Sequence, residues 1–328
     1  MSLIPAVDER IHAFLDERKA AIPETGILIE EIRRVVSAGG KRLRPQFCYW
    51  GFRSAGGKHG PEIISVTTAF ELLHTFAIVH DDIMDSARER RGQPTTVELM
   101  GMERALLVGD LALVLADAAF WGSEFPVETL CAAFSEFTIM REQVIAGQHM
   151  DLEAHDSEVD EAAARAIAVL KSGSYSIEHP LLIGARLADA DTGTIEGLRL
   201  FGRPLGEAFQ LVDDLLGVFG DAETTGKPID SDIREGKRNV LFAKTLSALD
   251  GADRTFFLDR WGRGDALDES VVGRLRDLIQ VSGARRETED LVVRLASEAA
   301  IALASAAIDG DARTALEGLM DQAIRRSK

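Results

Sequence analysis

Cysteine is nearly missing from the 328 residues. The two present, Cys48 and Cys131, lie far apart without CxxC spacing, which excludes a disulfide framework or a cysteine zinc site and suits a reducing, cytoplasmic setting. Positive charge is also scarce: 37 Lys and Arg face 54 Asp and Glu, for a formal net charge of −17. Such a field repels polyanions, so no nucleic-acid partner is expected and any phosphate must be held locally. No segment reaches about 18 uncharged apolar residues, because the best candidate, ALLVGDLALVLADAAFWG, is broken by Asp110 and Asp117. An integral membrane segment is therefore not expected, and the acidic N-terminal stretch lacks the apolar h-region of a secretory signal. Walker loops, dinucleotide fingerprints, internal repeats and Pro/Ser-rich linkers are absent as well, which argues against P-loop, Rossmann and solenoid proteins.

What is present is helical in pattern. Strings such as AIAVLKSGSYSIEHPLLIGARLA and TEDLVVRLASEAAIALASAAI fit the helix template, while alternating strand patterns are hard to find. Breaks fall at Gly39-Gly40, SAGGKHGPE, Gly92 to Pro94, Gly122 to Pro126, Asp189 to Thr194, Gly220 to Pro228 and WGRGDALDES. The expectation is about a dozen helices with short connections in one large all-α bundle, a single domain over residues 1–328, packed around a central apolar cavity. Hydrophobic residues at 46% suffice for a large core.

Two acidic patches leave apolar helices. In FAIVHDDIMDSARERRG, Asp81 and Asp85 are i and i+4 on one face, with Asp82 beside them. In EAFQLVDDLLGVFGD, Asp213 and Asp214 sit among Phe209, Leu211, Val212, Leu215 and Leu216, with Gln210 one turn earlier. Buried carboxylates need protonation, basic partners or metal, and two clusters are hard to accommodate by protonation alone. Oxygen ligands without nearby cysteine point to Mg²⁺, which keeps waters and completes its shell with phosphate oxygens.

The cations agree. Of only eight lysines, Lys41 stands in GGKRLRP, Lys227 in TGKP and Lys237 in REGKRNV, while RRGQPT adds Arg90 and Arg91. Glycine lets backbone approach phosphate, lysine adds a point charge, and arginine adds a two-pronged grip. Two phosphate sites are implied, one through metal and one through bare Lys and Arg.

These segments together resemble the trans-isoprenyl diphosphate synthases, the polyprenyl synthetase family. HDDIMDSARERRGQPT is similar to their first aspartate-rich motif, GEAFQLVDDLLG to the second, GGKRLRP to their isopentenyl diphosphate site, and TGKP with EGK to their later phosphate-binding lysines. The likeness runs in order from about residue 39 to 241, and five motifs in order are far more specific than any one. It implies that Asp81 and Asp85 bridge two Mg²⁺ with Asp82 in support, and that Asp213 binds a third with help from Asp214. Arg90, Lys171, Gln210, Lys227 and Lys237 would face the allylic diphosphate. Lys41, Arg44, His74 and Arg91 would hold isopentenyl diphosphate. The catalytic set implied is Asp81, Asp82, Asp85, Asp213, Lys171 and Lys227, and the family is typically homodimeric.

The implied reaction joins isopentenyl diphosphate to an allylic diphosphate, 1'-4 and trans, giving a short-chain prenyl diphosphate. The product would grow along the residues before Asp81, where Leu73, Phe76 and Ala77 lie eight, five and four positions back. An aromatic five positions upstream is associated in the family with short products, so C20, geranylgeranyl diphosphate, is favoured and C15 is next. One position departs from the pattern: the second motif usually ends in a third Asp, and here stands Gly217. That face therefore lacks a carboxylate, which bears on the outer shell of the third metal. A terpene cyclase of similar fold and an inactive regulatory subunit are the alternatives. A di-iron bundle, suggested by Glu71 and His74 in ELLH, lacks a second such pair.

Overall fold

The computed structural model describes residues 3–155, 157–220 and 230–324. The chain divides into two compact units: Met1–Phe137 with Pro180–Ile195 and Ile308–Ala312, and Thr138–His179 with Glu196–Ala307 and Arg313–Lys328. In the first, α1 (Leu3–Ala21), α2 (Gly26–Ser37), α3 (Leu43–Ser54) and α4 (Pro61–Met84) precede a hairpin of β1 (Glu89–Arg90) and β2 (Gln93–Pro94), followed by α5 (Thr96–Met100) and α6 (Met102–Trp121). Helix α7 follows (Val127–Ala154). The all-α expectation is borne out, and the hairpin is the sheet found among the described residues.

Helix α4 is the centre of its unit, with α1, α2, α3 and α6 packed on it. It has no polar face, because Ile63, Val66, Ala69, Phe70, Leu72, Leu73 and Val79 are buried all round it. By length and hydropathy α4, and not the 105–122 segment singled out from the sequence, passes for a membrane-crossing helix. Two observations mark it as a core helix: 67% of that window is buried in protein, and its Glu71 is buried against Arg42 at 2.6 Å.

The second unit continues with α8 (Glu161–Ile167), a π-helical segment (Ala168–Glu178), α9 (His179–Leu187, mostly in the first unit) and α10 (Thr192–Phe219). Then come α11 (Ser231–Glu235), α12 (Val240–Ala248), α13 (Gly251–Arg260), α14 (Glu269–Val281), α15 (Ala284–Ser305) and α16 (Gly310–Ile324). One core gathers Val218, Ile233, Phe242, Phe257, Trp261 and Leu275. A second gathers Leu211, Val212, Val240 and Leu295, so the apolar side of α10 is buried on both flanks of Asp213 and Asp214.

Glycine sets the closest helix approaches. A Cβ on Gly51 would overlap the Leu181 carbonyl, and one on Gly184 would overlap that of Cys48, so α3 and α9 pack backbone to backbone. Likewise a Cβ on Gly173 would meet the Gly206 carbonyl at 2.7 Å, and one on Gly147 would strike the Lys171 backbone. The π segment is thus gripped between α7 and α10, where eleven residues adopt a winding rare in proteins. Because the obstacle at Gly51 is backbone and not a movable side chain, Gly51→Ala should cost about 1–3 kcal/mol. Denaturant unfolding checks this, and unchanged stability would refute the close approach.

Candidate active site

Helix α4 ends at its aspartate cluster. The Asp85 N–H still donates to the Asp81 carbonyl at 2.8 Å, so the two aspartates lie one turn apart. Ser86 then turns left-handed at φ 51°. Its N–H donates to the Ile83 carbonyl and that of Ala87 to the Asp82 carbonyl, at 3.3 and 3.0 Å, the paired bonds of a Schellman stop with serine where glycine is usual. The chain reverses through Arg91 and Gly92, both at positive φ (54° and 68°). A two-residue turn of this kind suits the tight β1–β2 hairpin. It carries Arg90 back onto the helix end.

There the Arg90 Nε donates to Asp82 Oδ1 at 2.8 Å and its Nη2 to Asp81 Oδ2 at 3.3 Å. Asp82 is almost fully buried, at 4% side-chain exposure, whereas Asp81 keeps 23% and Asp85 is exposed. Burial alone would lower the Arg90 pKa, but Asp82, Asp81 and Asp85 raise it overall. The three carboxylates therefore differ: one is neutralised internally, and two open progressively toward solvent.

A surplus of positive charge adjoins them. Gly39, Gly40 and Arg42 all have positive φ, at 91°, 143° and 49°, and the Arg91 Nη1 donates to the Gly39 carbonyl across 52 positions of sequence. Arg42 is locked by Asp8 at 2.8 Å and Glu71 at 2.6 Å, which consumes the glutamate of the ELLH pair. Half-buried His74 has a pKa driven well below the usual histidine range by burial and then by Arg44, Arg91, Arg90 and Arg42. It is a neutral imidazole at physiological pH. Arg91 is itself lowered, by burial first and then by Arg90. Like charges held this way are relieved by an anion. Lys41 is exposed at the rim of the same loop.

Upstream on α4, Leu73 is buried while Phe76 and Ala77 are half-buried. The Phe76 ring meets His80 edge-on at 4.8 Å. His80 occupies the room left by Gly109 of α6, beside the Leu106 carbonyl at 3.3 Å, in keeping with a structural histidine.

In the second unit Asp213 is exposed on α10 and Asp214 is buried. Gln210 donates to Asp214 Oδ1 at 2.7 Å. Even so, burial, and next the nearby Asp232, push the Asp214 carboxyl well above the usual range. Lys237 lies 3.5 Å from Asp232 and 3.1 Å from Glu235. Lys171, on the π segment, meets Asp151 of α7 at 2.6 Å. Lys227 lies outside the described residues. Two partners of the candidate lysines escaped the sequence reading, Asp151 and Asp232. Their signals, GQHMD on an ordinary helix and SDIREGK on the short α11 and the turn after it, gain meaning only beside Lys171 and Lys237.

A helical fold with an acidic helix end, an arginine cluster beside it and a second acidic helix defines a prenyl-synthase type of protein. A family model described as Polyprenyl synthetase matches residues 26–278, and the chain belongs to that family. A geranylgeranyl diphosphate synthase of Sulfolobus acidocaldarius is 37% identical over 255 residues, 75% of this chain and 74% of that one. A (2E,6E)-farnesyl diphosphate synthase of Mycobacterium bovis is 34% identical over 262 residues, 78% and 71%. Among solved structures, geranylgeranyl pyrophosphate synthase from Corynebacterium glutamicum, complexed with isoprenyl diphosphate and magnesium, superposes with TM-score 0.93 at 31% identity over 99% of this chain and 98% of that one. The reading of the sequence as an isoprenyl diphosphate synthase is borne out.

The Asp82–Arg90 pair yields a stability test. Arg90→Met strands a buried carboxylate and should destabilise by about 3–5 kcal/mol, whereas Arg90→Met with Asp82→Leu should recover most of it. Denaturant titration of the single and double variants decides; equal losses in both would show that the pair is not what holds the hairpin down.

Proposed function

We propose that this enzyme condenses isopentenyl diphosphate with an allylic diphosphate, 1'-4 and trans, to a short-chain prenyl diphosphate, with C20 favoured and C15 next. The observation that carries the reading is the pairing of a graded carboxylate set at Asp81, Asp82 and Asp85 with an arginine surplus around His74. The whole chain would act as one catalytic domain in the cytoplasm.

The residues fit Mg²⁺. Asp81 and Asp85 offer unburied carboxylates one turn apart, and Mg²⁺ uses one or two carboxylates plus water and phosphate. Asp214 lies buried under the influence of Asp232 and Asp213, an excess of negative charge that a cation relieves. Asp81 and Asp85 would hold two ions, and Asp213 a third with help from Asp214. Bound there, Mg²⁺ would neutralise the diphosphate leaving group.

Around it the chain's own groups act. Arg90 fixes the Asp81 and Asp82 carboxylates, and Lys171, Gln210, Lys227 and Lys237 add donors for the allylic diphosphate. Lys41, Arg44, Arg91 and neutral His74 hold isopentenyl diphosphate through charge and hydrogen bonds alone. As the allylic C1–O bond breaks, its electron pair leaves with the diphosphate; the isopentenyl double bond attacks C1, and the proton released passes to the departing diphosphate. Water must be kept from the cation.

Leu73, Ala77 and Asp81 form one stripe, with Phe76 alongside, and Leu73 lies about 12 Å from Asp81 at 1.5 Å per residue. Phe76, held against His80, is the proposed floor of the chain-length pocket. A homodimer is proposed from α6, whose Leu107, Val114 and Trp121 stay exposed at seven-residue spacing, an apolar stripe suited to a second copy.

Incubation with isopentenyl diphosphate, primers of different length and Mg²⁺, with chromatography of products, tests the activity. Asp81→Ala or Asp213→Ala should each lower turnover by about a thousandfold or more, as loss of charge stabilisation in the transition state requires; activity within a few-fold of the parent would remove these ligands from the reading. Phe76→Ala should lengthen the product by at least one five-carbon unit. An unchanged product would move the floor elsewhere.

A further inference from the structure

Positions 261–264, WGRG, read along the chain only as a break between helices. In the fold they back onto the turn that carries Lys237. Left-handed Gly262 (φ 78°) stops α13, and its N–H donates to the Ile233 carbonyl of α11 at 2.9 Å. Gly236, equally left-handed at φ 78°, faces it: a Cβ on Gly236 would lie 2.8 Å from the Gly262 Cα, and one on Gly262 would lie 2.9 Å from the Gly236 Cα. Both obstacles are backbone, so the two turns meet main chain to main chain with no side chain between them to move aside. Trp261, 3% exposed, adjoins that contact and is held by Phe242 and Phe257, with ring centroids 5.4 and 5.0 Å away. Its indole N–H donates to the Lys237 carbonyl at 3.1 Å. The Lys237 N–H in turn donates to the Asp232 carbonyl at 3.0 Å. Arg238, the next residue, donates through Nε and Nη2 to the His155 carbonyl at 3.2 and 3.1 Å and lies 4.3 Å from the Phe242 ring centroid.

We propose that Trp261 is a positioning residue for the allylic diphosphate site: with Gly262 it forms a clasp that fixes the backbone of Lys237 and so aims the lysine side chain. This rests on the role proposed above for Lys237 and deepens it. Peptide units are planar, so a hydrogen bond on each side of the Lys237 Cα orients both planes and with them the Cα–Cβ bond. A lysine stem is long and flexible, and the placement of its root limits the volume its ammonium can search. An indole suits the task because it donates one hydrogen bond from a rigid ring and accepts none. Phenylalanine would serve the aromatic cluster equally; the N–H serves the lysine turn.

The test is steady-state condensation with Mg²⁺, in which the KM for the allylic diphosphate and that for isopentenyl diphosphate are measured separately, each with the other substrate saturating. Trp261→Phe, which keeps a ring against Phe242 and Phe257, should raise the allylic KM about threefold to tenfold, the factor one net hydrogen bond is worth, and leave the isopentenyl KM within about twofold. Gly262→Ala, whose Cβ presses on the Gly236 backbone, should give the same selective rise through a different contact. Lys237→Ala should raise the allylic KM about tenfold or more, as loss of a charged contact to phosphate requires. In that background Trp261→Phe should add less than about twofold, because no ammonium is left to aim. A purely structural Trp261 would raise both KM values together, or its effect would multiply with that of Lys237→Ala, and either result overturns the proposal. If Lys237→Ala is impaired while Trp261→Phe matches the parent, only the clasp falls. If Lys237→Ala itself matches the parent, the assignment of Lys237 falls and takes the clasp with it.

Discussion

The architecture turns on like charge held at the ends of apolar helices. Carboxylates that emerge from a buried stretch cannot all stay ionised without positive partners, and α4 solves this in steps. Asp82, deepest, is given Arg90; Asp81 shares the edge of that guanidinium; Asp85, on the last turn, faces solvent. The gradient matters for chemistry. Groups already neutralised hold the end of the helix in shape, and those still open present their charge to solvent.

Backbone strain is concentrated at the same place. Arg42, Ser86 and Arg91 are non-glycine residues in left-handed conformation, each costing roughly 1–2 kcal/mol. Together they stop α4, reverse the chain and dock the arginine turn on the Gly39–Gly40 loop. Such outliers persist only where surrounding packing over-determines them, and the buried α4 core supplies that packing. The arginine surplus that results is a poor arrangement for stability and a good one for receiving an anion.

The second unit meets the same problem with less positive charge. Gln210 offers Asp214 a neutral hydrogen bond, and Lys237 is shared between Asp232 and Glu235. Burial, and next the nearby Asp232, push the Asp214 carboxyl toward protonation. Close glycine approaches at 147, 173 and 206 hold the π segment and so aim Lys171 at Asp151. That winding was invisible beforehand, because LKSGSY satisfies an ordinary helix pattern equally well and the cause of the wider turn lies in two other helices.

Much of the site was legible along the chain. The helical class follows from 3.6-residue periodicity, and the spacing of Asp81 with Asp85 fixes a shared face because an α-helix permits no other arrangement. The glycine-flanked cations in GGKRLRP and RRGQPT pointed toward phosphate for the same local reason. Tertiary structure decided which charges were already spoken for: Arg42 on Glu71, Arg90 on Asp82, Lys171 on Asp151. It also decided that the Asp232 carboxylate lies against Gly217. Those pairings join residues 8 to 29 positions apart, and local periodicity carries no information about partners that only packing brings within a few ångströms.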